Sequence, residues 1–364
     1  MPNLLITSVG SGVGHNLLDC LEGRRDGLRV IGSNSEAGAA ANFRCDRVYL
    51  APPAADAAAW DAFHTELLVR EAIDLAIPAR DDDVLALARW RARDPQSAPR
   101  LLVGALDAAQ ALHDKAQYAV FAAAQGLPFA ATEVCGEDSP PDAALALWQV
   151  HRTLIAKPAA GNGSRGVRIV HTEAQVLAAA NTSGYVLQPY FDPHPDWQVQ
   201  AEAAPLGWPL WSEVPETSLF GFHALIDPRG RIEGSLGYRA VQSSGRPTWL
   251  EPCAEAPWAD LAIAHVRALA LAGWRGPCNV QGKRDAEWGW QVIEVNGRFT
   301  GASLARRLLG LDELGLCLRQ WLGDAAIPLD PPRPAASHVD GSYRVERHDL
   351  AMLKQTGVWP PVSS

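Results

Sequence analysis

Apolar and polar positions alternate in blocks over the first hundred residues. Residues 4–9, 29–33 and 75–78 are short, largely apolar runs, and 16–21 and 83–91 carry helical spacing. Apolar strands separated by helices predict a parallel sheet, since parallel neighbours need a crossover. The expected unit is an open α/β domain over residues 1–108.

Beyond it the pattern changes period. Residues 105–127 read as helical, with Asp107 or Asp114 as N-terminal caps and Gly126-Leu127-Pro128 as a stop. Strands over 153–156 and 166–171 flank Gly161-Asn162-Gly163-Ser164-Arg165-Gly166, which predicts a hairpin with a glycine-rich tip. A strand at 184–188 precedes a Trp- and Pro-rich stretch, 192–218, with no regular pattern. Then come antiparallel strands over 221–227 and 231–240 around the turn Asp227-Pro228-Arg229-Gly230, a helix over 259–272, strands over 277–285 and 289–296, and a helix over 303–309. Residues 328–334 form a Pro-rich linker, and 342–346 return as one more strand. The expected boundaries are 109–183 for a small second unit, 184–330 for an antiparallel-sheet domain and 331–364 for an extension, an α+β arrangement overall.

Composition narrows the classes. At 364 residues, 48% hydrophobic and 20% charged, the chain has globular values and enough length for two or three packed units. A net charge of -9 disfavours nucleic acid and anionic lipid, because counterion release needs dense Lys and Arg. The six cysteines are scattered without a CxxC pair, so neither a zinc site nor a disulfide framework is indicated, and a reducing cytoplasm is the expected compartment. No apolar run approaches the roughly 20 residues of a membrane helix, and the opening Met1-Pro2-Asn3 reads into a strand, not a signal peptide.

Four segments carry candidate chemistry. Lys157-Pro158 ends a strand ahead of the loop 161–166; glycines let backbone N–H groups turn toward a polyphosphate, and a lysine supplies a point charge. No Gly-Lys-Ser or Gly-Lys-Thr follows, so it is not a Walker loop, and a plain surface hairpin is the alternative. Gln281 and Glu294-Val295-Asn296-Gly297-Arg298 lie on successive strands; Glu294 and Asn296 share a strand face, and their oxygens with that of Gln281 suit magnesium on nucleotide phosphates, with a solvated face as the alternative. Asp114-Lys115 opens a helix and places a lysine opposite the glycine loop, or leaves it solvated. Gln188-Pro189-Tyr190 ends a strand where free backbone groups can meet a base edge, or simply where the strand stops.

In their joint order these segments resemble the ATP-grasp superfamily, and within it the carbamoyl-phosphate-synthase-like carboxylate-amine ligases. The resemblance extends from residue 4 to about 309 and includes the opening LLITSVG and Ile77-Pro78-Ala79-Arg80-Asp81-Asp82. It implies a Rossmann-like first domain, a lid and a C-terminal nucleotide and metal domain. It further implies ATP with magnesium, or manganese in its place. Lys115 and Lys157 would be the nucleotide lysines, Gly161, Gly163, Ser164 and Gly166 the phosphate flap, and Gln188, Pro189 and Tyr190 the hinge against adenine. Gln281, Glu294 and Asn296 would hold metal, and Arg298, helped by Arg239, would stabilise the transferring phosphoryl group.

The sequence departs from that pattern in three places. Gln281 stands where many relatives have an acid, Gly297 replaces a frequent proline, and no acidic residue follows Gln188, which leaves Asp192, Asp196, Glu213 and Glu216 as ribose candidates. The implied reaction joins small-molecule carboxylate and amine substrates, amino acids or peptides among them, and Trp197, Trp208 and Trp211 are candidates to wall the substrate or to pack a lid. Carboxyphosphate or carbamoyl-phosphate chemistry, phosphorylation of another acceptor, and a non-catalytic nucleotide-binding protein are the rival readings. The glycines at 10–14 lack GxGxxG spacing, which disfavours an NAD-linked first domain. A homodimer is left open.

Overall fold

The computed structural model describes residues 1–161, 163–191, 206–209, 216–243, 246–323, 336–337 and 347–360. The first sheet is built from β1 (Asn3–Thr7), β2 (Arg29–Asn34), β3 (Arg47–Leu50) and β4 (Leu75–Pro78), parallel in the order β3-β2-β1-β4. Strand Val358–Trp359 adds antiparallel to the outer edge of β3. Crossovers run through α1 (Gly12–Leu21), the 3-10 turn Ala40–Arg44 and α2 (Ala57–Arg70), and α3 (Asp81–Arg93) follows β4. Both faces of the sheet are covered, so Leu4, Leu5, Ile6, Val30, Ile31, Leu75 and Ile77 are all buried, as the near-continuous apolar runs require.

Two helices, α4 (Leu106–His113) and α5 (Lys115–Ala124), lead into the second unit, with Asp114 between them. The Asp114 carboxylate accepts from the backbone N–H groups of Ala116 (2.8 Å) and Gln117 (3.1 Å), an N-cap that fixes where Lys115 begins its helix. The second sheet is antiparallel, in the order β5-β8-β6-β7-β9, from β5 (Glu133–Val134), β6 (Leu154–Pro158), β7 (Arg168–Val170), β8 (Tyr185–Pro189) and β9 (Trp208–Pro209). Helices α6 (Pro141–His151) and α7 (Glu173–Ala180) close a small core with Leu154, Ala156, Val170, Val176 and Leu187.

The third sheet runs β14-β13-β10-β11-β12, from β10 (Glu216–Ile226), β11 (Ile232–Ser243), β12 (Arg246–Pro252), β13 (Gly276–Asp285) and β14 (Gly289–Asn296), with Ala336–Ser337 on its edge. Helix Ala256–Leu271 packs one face through Trp258, whose ring stacks on Trp290 and lies near Phe220. One hydrophobic cluster runs from Leu5 and Ile31 through Val103 to Trp258 and Val280, so the first and third sheets share a core.

Several elements differ from the sequence reading. The helices α2, α6 and α7 and the strands β3 and β12 had no clear pattern; α2 is studded with alanines and carries little amphipathic contrast. The break expected at 183–184 falls just before β8, which hydrogen-bonds to both β5 and β6, so the lid sheet extends past it. The strand expected at 342–346 lies outside the described residues, as do Trp197, Trp211, Asp192, Asp196 and Glu213; Trp208 and Glu216 are placed only by their backbone, in β9 and β10. Among the described residues, no helix is long and apolar enough to cross a membrane.

Candidate active site

All three units meet at the β13–β14 edge of the third sheet. Glu294 lies on β14 opposite Gln281 on β13, and Asn296, two residues on, lies opposite Asn279. The period of two puts Glu294 and Asn296 on one face. Lys115 approaches this face from the start of α5: its Nζ sits 3.2 Å from Glu294 Oε1 and 3.5 Å from each of the carbonyls of Ala159 and Gly161. Lys157, at the end of β6, donates to the carbonyl of Ile293 at 3.1 Å. A lysine from α5 and one from the lid sheet therefore converge on a single strand of the third sheet.

The electrostatics follow from burial. Lys157 is 7% exposed, and loss of solvent lowers its ammonium to about 7, with Lys115 pushing the same way and Glu294 opposing. Burial would raise the Glu294 carboxyl, yet Lys115 and then Lys157 outweigh it and hold the group below its ordinary value.

An unfolded lysine titrates near 10.5 and the folded one near 7, so the unfolded chain binds more protons between these values. Lys157 thus costs stability below pH 7, and that cost is relieved as pH rises toward 10.5. A polyanion in the cleft restores the charged form, so nucleotide binding at pH 8 is expected to take up a proton. Calorimetry in buffers of different ionisation enthalpy reads this uptake; Lys157→Ala should abolish it and weaken binding about tenfold, and equal uptake by the variant would remove Lys157 from the phosphate side.

Arg298 follows β14 and is buried. Its Nε and Nη2 donate to Asp81 Oδ1 (2.8 Å) and Oδ2 (3.0 Å), its Nη2 also approaches Asn296 Oδ1 (3.5 Å), and Nη1 donates to the Phe299 carbonyl (3.2 Å). Gly297 lies between Asn296 and Arg298 because nothing larger fits: a Cβ there would stand 2.7 Å from both Leu112 and Trp274 side chains. Trp274 is fully buried and its indole donates to the Pro277 carbonyl at 3.0 Å, so the ring cannot readily retreat. Gly297→Ala should accordingly destabilise the protein by about 1–3 kcal/mol through overpacking; an unchanged denaturation midpoint would contradict this reading.

The glycine loop begins beside the same face, at Gly161. Gly161 (φ 149°), Gly163 (φ 64°) and Gly166 (φ 75°) have positive φ, as does Ser164 (φ 54°). Gly161 lines a cavity together with Asp81, His113, Lys115, Tyr118, Phe129, Glu294 and Asn296. Gly163 and Ser164 shape the loop tip, which faces solvent at Gly163. Gly166 passes under Tyr185, whose hydroxyl oxygen would lie 2.7 Å from a Cβ.

Other expected residues stand differently. The Gln188 side chain is buried and donates to Thr132 Oγ1 at 2.9 Å, Pro189 pairs with Leu154, and the Tyr190 N–H donates to the Thr153 carbonyl at 3.0 Å. Residues 188–190 are thus held by the second sheet, and the following carbonyl, of Phe191, accepts from Lys283 Nζ at 3.2 Å. Arg239 is not brought to the site. It follows Tyr238, which shares a cross-strand row with Gln281 and Glu294 through Gly221, so strand alternation sends Arg239 to the opposite face, where it pairs with Glu251 at 2.6 Å and keeps 49% side-chain exposure.

The structure adds residues the sequence reading did not assign. Asp81 grips Arg298, and beside Asn296 the polar face continues into a buried network. Tyr238 donates to Asn279 Oδ1 (2.8 Å), Arg306 donates to Glu313 (2.8 and 3.1 Å) and to Thr300 Oγ1 (2.9 Å), and His223 Nε2 lies 2.5 Å from Glu313. Burial alone would raise the Glu313 carboxyl, but Arg306 and His223 hold it far below the usual carboxylate range. The partners lie tens of residues apart or on different elements, so no local spacing announces them.

The architecture has solved counterparts. N5-carboxyaminoimidazole synthetase from Staphylococcus aureus in complex with ADP superposes with a TM-score of 0.66 at 11% identity, covering 92% of this chain and 80% of that one. The fold is the ATP-grasp fold. An L-amino acid ligase from Bacillus licheniformis (TM-score 0.61, 16% identity, 88% and 74% covered) and biotin carboxylase from Campylobacter jejuni bound to a β,γ-ATP analogue (0.61, 15%, 89% and 71%) share it. No family model matches the chain, and no curated protein sequence does. In this chain the fold has its small sheet in β5–β9 and its large sheet in β10–β14, with the lysine and carboxylate convergence between them.

Proposed function

We propose that the chain is an ATP-dependent carboxylate-amine ligase, which activates a carboxylate as an acyl phosphate and forms an amide with release of ADP and phosphate. The observation that carries this reading is the convergence of Lys115 and Lys157 on the Glu294 strand, beside Asn296 and Arg298 and beneath Gly161. The names of the fold neighbours, a carboxylase, a carboxyaminoimidazole synthetase and an amino acid ligase, support ATP-driven carboxylate chemistry in general.

The donor set suits a hard divalent cation. Glu294 offers a carboxylate and Asn296 and Gln281 offer amide oxygens from neighbouring positions, a set that magnesium, or manganese, would complete with phosphate oxygens and water. A magnesium ion held by these residues would supply positive charge that offsets the charge developing on transfer.

The protein's own residues do the rest. Lys115 and Lys157 hold the phosphates, and Arg298 meets the charge on the transferring group. The 161–166 loop excludes water from the acyl phosphate, which would otherwise hydrolyse. Catalysis of this kind is positioning and electrostatics, with little covalent work for side chains.

The test is an ADP-release screen of carboxylate and amine pairs with Mg-ATP, followed by mass analysis of products. Amide formed only when both substrates are present supports the ligase. The fold neighbours favour a second reading, carboxyphosphate chemistry, in which ADP release depends on bicarbonate and the product gains a carboxylate. Nucleotide binding without turnover over the whole screen would leave only a binding protein.

A further inference from the structure

We propose that Asp81 is a positioning residue for Arg298, the carboxylate that aims the guanidinium at the group being transferred. The proposal rests on the ligase reading and adds a residue to it.

The two side chains come from different units. Asp81 is the first residue of α3, three positions after β4, where the helix N-terminus favours a carboxylate. Arg298 follows β14 in the third sheet. They meet as a bidentate fork, Nε to Oδ1 at 2.8 Å and Nη2 to Oδ2 at 3.0 Å, with both side chains about nine-tenths buried. Such a fork fixes the guanidinium plane as well as its position, which a single point charge would not do.

The donor count shows how firmly the guanidinium is held. A guanidinium has five N–H groups. Asp81 takes two, the Phe299 carbonyl one, and the second hydrogen of Nη2 points toward Asn296 Oδ1 at 3.5 Å. Among the described residues one Nη1 donor is left over, on the guanidinium whose Nη2 approaches Asn296, a residue of the proposed metal set. Asp81 and Asn296 both line the cavity that also contains Lys115 and Glu294, so the fork borders the cleft instead of lying in a remote core. The arginine is thereby fixed beside the cleft by a carboxylate that itself lines it, with its Nη2 next to Asn296. A buried guanidinium without Asp81 would lose its main partner and its fixed plane.

The test uses the full chain and Asp81→Asn, Asp81→Glu, Arg298→Ala and the double variant Asp81→Asn/Arg298→Ala. ADP release is measured with Mg-ATP alone and with the acid and amine pair found by the screen, Mg-ADP affinity by calorimetry, and folded fraction by thermal melting. Positioning predicts that Asp81→Asn lowers kcat at least about tenfold while Mg-ADP affinity stays within about twofold. Adding it to Arg298→Ala should cost less than about a further twofold, because the residue acts through the arginine. Asp81→Glu keeps the charge but shifts it by one methylene, so it too should lower kcat, with the melt preserved.

Three results would overturn the proposal: unchanged kcat per folded molecule in Asp81→Asn, a full-sized additional loss in the Arg298→Ala background, or wild-type kcat in Asp81→Glu. Unaltered turnover in Arg298→Ala itself is a separate outcome, which would remove the arginine from the ligase reading.

Discussion

Glu294→Ala is expected to reduce ADP release by about a thousandfold or more while leaving the fold intact, because it removes the one carboxylate from the proposed metal set. Gln281 and Asn296 supply only neutral oxygens, so no neighbour on β13 or β14 replaces its charge. The substitution also removes the partner of Lys115, leaving that ammonium and the buried Lys157 facing each other without compensation. A nucleotide's phosphates relieve that repulsion. Binding of metal-free ADP should therefore survive, within about tenfold of wild type, while Mg-dependent turnover disappears. Steady-state ADP release and calorimetry with and without magnesium separate the two effects. Turnover within about tenfold of wild type would take Glu294 out of the metal set.

Arg298→Ala should lower kcat by about 10²–10³-fold with little change in the KM for ATP, since its proposed partner is the charge that develops only on transfer. The loss of KM effect is the discriminating part. A guanidinium that bound ground-state phosphate would raise KM at constant kcat. The Asp81 carboxylate left behind is buried and loses its counter-charge, so a reduced melting temperature should accompany the kinetic loss. Kinetics at saturating ATP, normalised to folded protein, read the catalytic part alone.

How far the sequence led depended on whether the signal was local. The alternation of residues 4–9 and 75–78 with helices was readable because strands buried on both faces are apolar throughout. Glu294 and Asn296 were readable because a period of two on one strand is a local rule. The same rule, applied without knowledge of which strands neighbour β11, could not say which face Arg239 would take; the register with Gly221 and Gln281 decides it. Asp81 sat in view as the head of an acidic run that starts a helix, yet its contact with Arg298 spans 217 positions and only the meeting of two units reveals it. Residues 188–190 read as a strand end with free backbone groups, whereas the Tyr190 N–H is taken by the Thr153 carbonyl, a partner that only the strand pairing reveals. Gly297 shows the same limit from the other side, because the reason for a glycine there is the depth to which Trp274 is buried.

Strand Val358–Trp359 gives the first sheet a different exposure to other molecules from the one its four parallel strands would have alone. The outer N–H and C=O groups of β3 would form an open ladder on which a second polypeptide could template itself. Antiparallel addition of two residues, with Trp359 edge-on to Phe43, occupies that ladder from within the same chain. The strand therefore caps the β3 flank from within the chain, so that a second polypeptide cannot add directly onto β3 at Val48 and Tyr49 without displacing it.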